Sequence, residues 1–310
     1  VTTLLTFREN VKGFFGRYDF VITPILKFIL AFIVFHTLDV GFGYWAILGN
    51  PIVILMLSAI CAFLPSEVIT AIGGVIIVME SFKVSIDVGV LAVAMIIIFY
   101  CGYMRFVPQT GIIVLLVPIL NTIHLTYALP ILLGFIVGPA AIVPAIFGLL
   151  LDYCEGSLSD IVKVMAASTE EDTAVSGYQY VINGFVTNKE LLYSFVVMAF
   201  VILVTYCIYR LSFEHAWIIS FVVGGILNIT LFLIGNVLVL INVDILPIVY
   251  GTIIGIVIAV IVQFCKGIVD YQRTELLQFE DDEYYYYVKA IPKMSISGSN
   301  KNIKHINSKS

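Results

Sequence analysis

The chain has 310 residues, 61% of them apolar and 12% charged, with a formal net charge of −5 and a mean hydropathy of +1.07. Soluble domains carry about a quarter charged residues, and a soluble fold of this length buries too little volume to hide so many apolar side chains. One soluble core is excluded, and an all-α integral membrane protein, a polytopic helical bundle, is expected instead.

In such a protein the placement of Lys and Arg says more than their sum. Arg8, Lys12, Arg17 and Lys27 open the chain, and Lys266, Arg273, Lys289, Lys293, Lys301, Lys304 and Lys309 close it. Only Lys83, Arg105, Lys163, Lys189 and Arg210 stand between. Both ends read as cytoplasmic, which requires an even number of crossings of a bacterial cytoplasmic membrane. Val1 fits a bacterial GTG start codon. Residues 1–20, mixed and charged with no cleavable-signal pattern, read as a cytoplasmic segment.

A first transmembrane bundle is expected over 21–151. Val21–Leu38 is its first span, with Lys27 placed to snorkel to the cytoplasmic headgroups. The Gly41–Trp45 run forms an outer loop, anchored by Tyr44 and Trp45. Pro51–Leu64 and Val68–Met79 fall short of the ~20 residues of a full span. Parted by Pro65-Ser66-Glu67, they read as two short tilted spans or a re-entrant hairpin. Val88–Met104 is a clear span ending at Arg105. Gly111–Asn121 is short and carries Pro118. Tyr127–Leu151 is long but interrupted by Pro130, Gly138-Pro139 and Pro144, so a kinked or broken helix is expected.

Residues 152–190 form the one substantial polar loop, read as cytoplasmic. Ser168 and Glu171 make a capping box ahead of an amphipathic surface helix over Thr169–Val186, with Val175, Tyr178, Ile182 and Phe185 on one face. A second bundle follows over 191–267. It contains Leu191–Tyr209, Ala216–Ile241 with interruptions at Asn228 and Gly235-Asn236, and Ile245–Cys265. Eight to ten crossings are counted and ten favoured, which leaves Arg210 outside, against the charge rule. Tyr100-Cys101 and Tyr206-Cys207, each followed by an arginine, hint at a repeat of about 106 residues, but an offset of 162 competes with it.

No nucleotide-binding loop, dinucleotide fingerprint, zinc-protease or nucleophile-elbow motif is present, so no enzymatic activity and no cofactor or metal are expected. The cysteines lack paired spacing and read as small hydrophobes. Polar groups within apolar runs are the better lead, because the bilayer makes them costly. Asn121 and His124 flank a short span, Asn228 sits deep in another, and Asp244 precedes the last. Together they are candidates for lining a substrate pathway; the competing reading makes them helix caps near the headgroups.

The tail, 268–310, holds the most distinctive run: Gln278-Phe279-Glu280-Asp281-Asp282-Glu283, then Tyr284, Tyr285, Tyr286 and Tyr287, then Val288-Lys289-Ala290-Ile291-Pro292-Lys293. Its tyrosines favour an extended strand. An isolated strand with tyrosines on both faces is poorly stable, so pairing with another copy or a partner's sheet edge is expected, with Phe279 and the four tyrosines as docking residues; the competing reading lays the tyrosines in the headgroup layer. Asp270–Gln278 is expected as polar helix or linker.

With Val269–Glu275 before it, this run resembles the end of multi-pass membrane proteins of Clostridia-type Firmicutes generally described as ABC transporter permeases. The resemblance extends to Phe7-Arg8-Glu9, Tyr18, Asn183-Gly184-Phe185, Asn188-Lys189-Glu190, Arg210-Leu211-Ser212 and Ala216-Trp217. It implies a permease-like subunit of a transport complex, acting with cytoplasmic protein partners such as a separate ATPase subunit, or as a homo-oligomer. It implies no particular substrate and no nucleic acid. The alternative is a non-transporting scaffold for envelope or surface-structure assembly.

Overall fold

The computed structural model describes residues 2–45, 47–167, 183–211, 215–241, 243–266, 275–280 and 285–290. The chain divides into two units, Phe20–Ile261 and Val1–Asp19 with Val262–Ser310. The described residues of the larger unit are built from helices, the first and last of which run on into the smaller unit: α1 (Thr2–Gly41), α2 (Pro51–Phe63), α3 (Ser66–Val84), α4 (Ile86–Phe99), α5 (Ile112–Thr122), α6 (Leu129–Ile136), α7 (Ile142–Ala167), α8 (Lys189–Tyr209), α9 (Ala216–Ile234) and α10 (Ile245–Lys266). Among the described residues, five stretches are long and apolar enough to cross a bilayer: Gly13–Gly41, Pro139–Leu158, Lys189–Tyr209, Ala216–Val239 and Ile245–Lys266. The protein is therefore a polytopic helical membrane protein. Pro51–Phe63, Val88–Met104, Pro108–Thr122 and Thr126–Ile136 are shorter apolar helices.

Local chemistry sets several helix ends. Asn50 caps α2, its side chain accepting from the Ile52 N–H at 3.0 Å ahead of Pro51. Asn188 caps α8, accepting from the Leu191 N–H at 3.0 Å. Pro65 follows the C-cap of α2 and disfavours helix at Leu64. The Leu64 carbonyl, left without an intrahelical donor, accepts from the Lys27 ammonium at 3.0 Å. Lys27 thus satisfies a helix end inside the unit, a bond its expected reach to the headgroups did not foresee.

Packing fixes the direction of each helix. The Glu155 carboxyl lies against Gly41, so the end of α1 and the Asp152–Leu158 part of α7 share one end of the unit, here the far end. Asn121 bonds to Asp152 and Gly148 packs on Val117, so α5 runs parallel to α7. Tyr103 donates to the Ala140 carbonyl and Gly138 abuts the Tyr206 ring, which places the α4–α5, α6–α7 and α8–α9 turns at the opposite, near end. Chain direction therefore alternates from α1 to α10. Phe20 and Ile261, where the chain enters and leaves the unit, both lie towards the near end.

The 127–151 stretch does not merely kink. Gly138 adopts φ +82°, a left-handed value that suits glycine, and a Cβ there would come within 2.7 Å of the Tyr206 ring. With Pro139 it turns the chain back on itself, so α6 and α7 run antiparallel. Conversely, Asn228 and Gly235-Asn236 do not break the 216–241 stretch: α9 continues into a π-helical turn over Gly235–Val239. These two changes alter the parity. Within the larger unit, Phe20 and Ile261 lie towards the end opposite 152–158, whereas the sequence expectation has the chain ends and the 152–190 loop on one side.

Of the expected helix over Thr169–Val186, only 183–186 falls within the described residues, and it is helical. Phe185 packs on Tyr153, with ring centroids 4.9 Å apart. The remainder, with Val175, Tyr178 and Ile182, lies outside the described residues.

In the smaller unit, β1 (Glu275–Glu280) and β2 (Tyr285–Ala290) pair antiparallel, from Glu275 opposite Ala290 to Glu280 opposite Tyr285. Tyr285–Tyr287 of the tyrosine run do form a strand, and its described partner is this chain's own Glu275–Glu280. That segment was expected to be polar helix or linker up to Gln278. Phe279 stands opposite Tyr286 in the register. Tyr284 lies outside the described residues.

Candidate functional site

A polar cleft of about 210 Å³ opens at the far end of the larger unit. Its walls come from α7 and the start of α8, with Phe232 from α9. The α5–α6 turn forms the floor. Gly251, six residues into α10, packs on Tyr127. At 1.5 Å per residue this sets the turn about 9 Å inside the far end of α10. A backbone turn at that depth must be satisfied by protein or water, and here much of it is. The His124 N–H donates to Asn121 O at 2.8 Å, the Leu125 N–H to Leu120 O at 2.7 Å and the Ala128 N–H to Leu125 O at 3.0 Å. His124 itself takes a left-handed φ of 55° to close the turn.

Asn121 is the hinge of the polar wall. Its amide nitrogen lies 2.9 Å from each Asp152 oxygen, and its carbonyl oxygen accepts from Thr126 Oγ1 at 3.3 Å. Glu190 and Ser194 add polar atoms from α8. Asp152, Glu190 and Asp244 all lie within electrostatic range of Tyr127, and no Lys or Arg lines the cleft.

Beneath the floor lies a second polar node. Asn228 is fully buried; its amide nitrogen donates to the Tyr127 carbonyl at 3.0 Å and to Thr252 Oγ1 at 2.8 Å. Thr252 passes the chain on to Ile248 O at 2.6 Å. Asn228 Oδ1 is buried and has no hydrogen-bond partner. Tyr127 therefore joins the two features, its side chain in the cleft and its carbonyl on Asn228.

The four sequence candidates divide. Asn121 lines the cleft, and Asn228 lies behind its floor. His124 is exposed on the floor turn and does not line the cleft, although its carbonyl lies beside Gly251. Asp244 is exposed, immediately before α10. Docking residues Phe279, Tyr285, Tyr286 and Tyr287 are on the hairpin strands of the smaller unit.

Sequence reading missed Glu80. It is fully buried on α3, with Oε2 accepting from the Tyr44 N–H at 2.7 Å and Oε1 without a partner. Its signal was available: an acid directly after the apolar run ending at Met79, taken as the end of a short span when the helix continues to Val84. Asp152 and Glu155 were read as loop acids because the α7 helix was ended at Leu151; it runs on to Ala167. Among the described residues no group of three His, Cys, Asp or Glu is placed to hold a metal ion.

No protein-family model, curated protein or solved structure matches the chain.

Proposed function

We propose that this chain is a permease-like subunit of a bacterial inner-membrane transport complex, working with a separate cytoplasmic protein such as an ATPase. The observation that carries this reading is the recessed acidic cleft with the Asn228–Thr252 node directly behind its floor. Polar side chains at that depth are costly in lipid and typically line pathways. Short helices meeting at a recessed turn are also how transporters place backbone groups at mid-membrane.

The far end is taken as the outside. Arg105 and Arg210 fall at near-end turns, Arg8, Lys12, Arg17 and Lys27 flank Phe20 in sequence, and Lys266 and Arg273 follow Ile261, against Lys83, Lys163 and Lys189 on the far-end segments. On that balance the positive-inside rule puts the near end, Phe20 and Ile261 in or towards the cytoplasm. Arg210 then falls inside, and Lys83, Lys163 and Lys189 become the exceptions to the rule. All ten helices α1 to α10 count as segments of the bundle, the short ones not reaching fully across. The alternative, a scaffold for envelope assembly, draws on the β1–β2 hairpin, whose outer edges offer backbone groups for strand addition.

Cysteine accessibility separates the two readings. In a variant stripped of native cysteines, Ser194→Cys and Asn228→Cys are treated with a membrane-impermeant maleimide in sealed vesicles of each orientation. A pathway predicts labelling of Ser194→Cys from the outside, and of Asn228→Cys from at least one side during turnover with the partner. A scaffold leaves Asn228→Cys unlabelled under every condition.

A further inference from the structure

We propose that the cleft binds a small organic ammonium ion. The inference rests on the pathway reading above and deepens it by naming the ligand class. Three features of the cleft point the same way. Two carboxyl side chains, Asp152 and Glu190, line it without any Lys or Arg, and no salt bridge takes up either carboxylate among the described residues. A cation is the ligand that such a site favours electrostatically. The start of α8 brings about half a positive charge to the same region, but two carboxylates outweigh it, and the Asn188 cap already occupies the Leu191 N–H.

The second feature is aromatic. Tyr127, Tyr153 and Phe232 all line the cleft. Tyr127 and Phe232 pack edge to face with centroids 5.0 Å apart, and Phe185 holds the Tyr153 ring from behind at 4.9 Å. Aromatic rings lining a cleft that also holds carboxyl groups favour an organic cation, which the ring quadrupole attracts. A hydrated inorganic ion gains little from them.

The third feature is the donor set. A dedicated metal cage gathers several carboxylate, carbonyl or imidazole ligands, whereas no group of three His, Cys, Asp or Glu converges here among the described residues. Asp152 is already held by Asn121 through both oxygens, which fixes its orientation and leaves it a preset counter-charge rather than a chelating ligand. The cleft, at about 210 Å³, has room for several groups of water size at ~30 Å³ each.

Choline and its uncharged isostere 3,3-dimethylbutan-1-ol test this directly. The full chain in lipid nanodiscs is titrated with each by calorimetry, with sodium chloride added to equal ionic strength. Saturable choline binding at least about tenfold tighter than that of the isostere is expected, since one tenfold step is ~1.4 kcal/mol and a desolvated cation–π contact supplies that order. Glu190→Gln, an exposed change that removes one charge, should weaken choline several-fold. Asp152→Asn should weaken it more, and Tyr127→Phe should preserve what Tyr127→Leu loses. Equal affinity for the two isosteres overturns the proposal. So does choline affinity unchanged in both Glu190→Gln and Asp152→Asn. Choline binding with Asn228→Cys still unlabelled would retain the ligand class and reject transport; labelling without choline binding would do the reverse.

Discussion

Glu80 shows what a single side chain does in this fold. It stands on α3 one turn beyond Ile76, a member of the apolar cluster that joins α1, α2, α3 and α7, and it is fully buried. Its role in the structure is to accept the Tyr44 N–H and so hold the Gly41–Asn50 connection onto α3. Loss of that acceptor removes a bond from a half-buried N–H to a buried carboxyl, at a cost of about 1–3 kcal/mol. Glu80→Leu should therefore lower the unfolding temperature in detergent and open the 42–50 connection to protease. Glu80→Gln keeps an acceptor of the same shape and should retain most of the stability. Equal proteolysis of both variants and the parent would show that the Tyr44 bond does not hold the loop. Asn228 is the sequence-legible counterpart, since an amide deep in an apolar run announces itself. Its partners Tyr127 and Thr252 are far away in sequence and could not be read from it.

Among the elements, the α5–α6 hairpin decides where the cleft lies. Both helices are short, α5 with 11 residues and α6 with 8, about 16 and 12 Å at 1.5 Å per residue. Their turn therefore stops short of the far end and becomes a floor. Close backbone approach holds the turn there. A Cβ at Gly255 of α10 would lie 2.8 Å from Ala128 Cα and 3.0 Å from its carbonyl oxygen, and one at Gly134 would lie 2.9 Å from Ile202 O. Small residues at such crossings let helices touch in a bilayer, where lipid is as apolar as leucine. Gly255→Ala should cost about 1–3 kcal/mol through overpacking and loosen the floor. Gly156→Ala, with nothing within 4 Å of the added methyl, should be neutral or slightly stabilising. Thermal unfolding of both in one detergent checks the contrast, and equal shifts would remove the close-packing account.

At the scale of the whole molecule, sidedness is the property most open to a direct test. Reporter fusions after residue 20 and after residue 266 should read cytoplasmic, while a reporter inserted near residue 170 should read external. An internal reading at 170 with internal ends would restore the shared-side arrangement and contradict the reversal at Gly138-Pro139. The hairpin of the smaller unit is compatible with either function, because it satisfies one edge of each strand and leaves the other available.

Composition alone determined that this is a helical membrane protein, because no soluble core of this size can absorb so much apolar surface. The apolar runs marked nearly every helix, and the tyrosine run marked its strand, since hydrophobic continuity and β propensity are local properties. Tertiary structure decided what depends on distant contacts. The break at 138–139 became a reversal because Gly138 packs on Tyr206, and Asn228 stayed within a helix because Tyr127 and Thr252 satisfy its amide. Asp152 joined Asn121 because α5 and α7 run parallel. Apolar runs reveal where the chain is helical but not which way each helix points, and direction is what gathers the polar residues into one cleft.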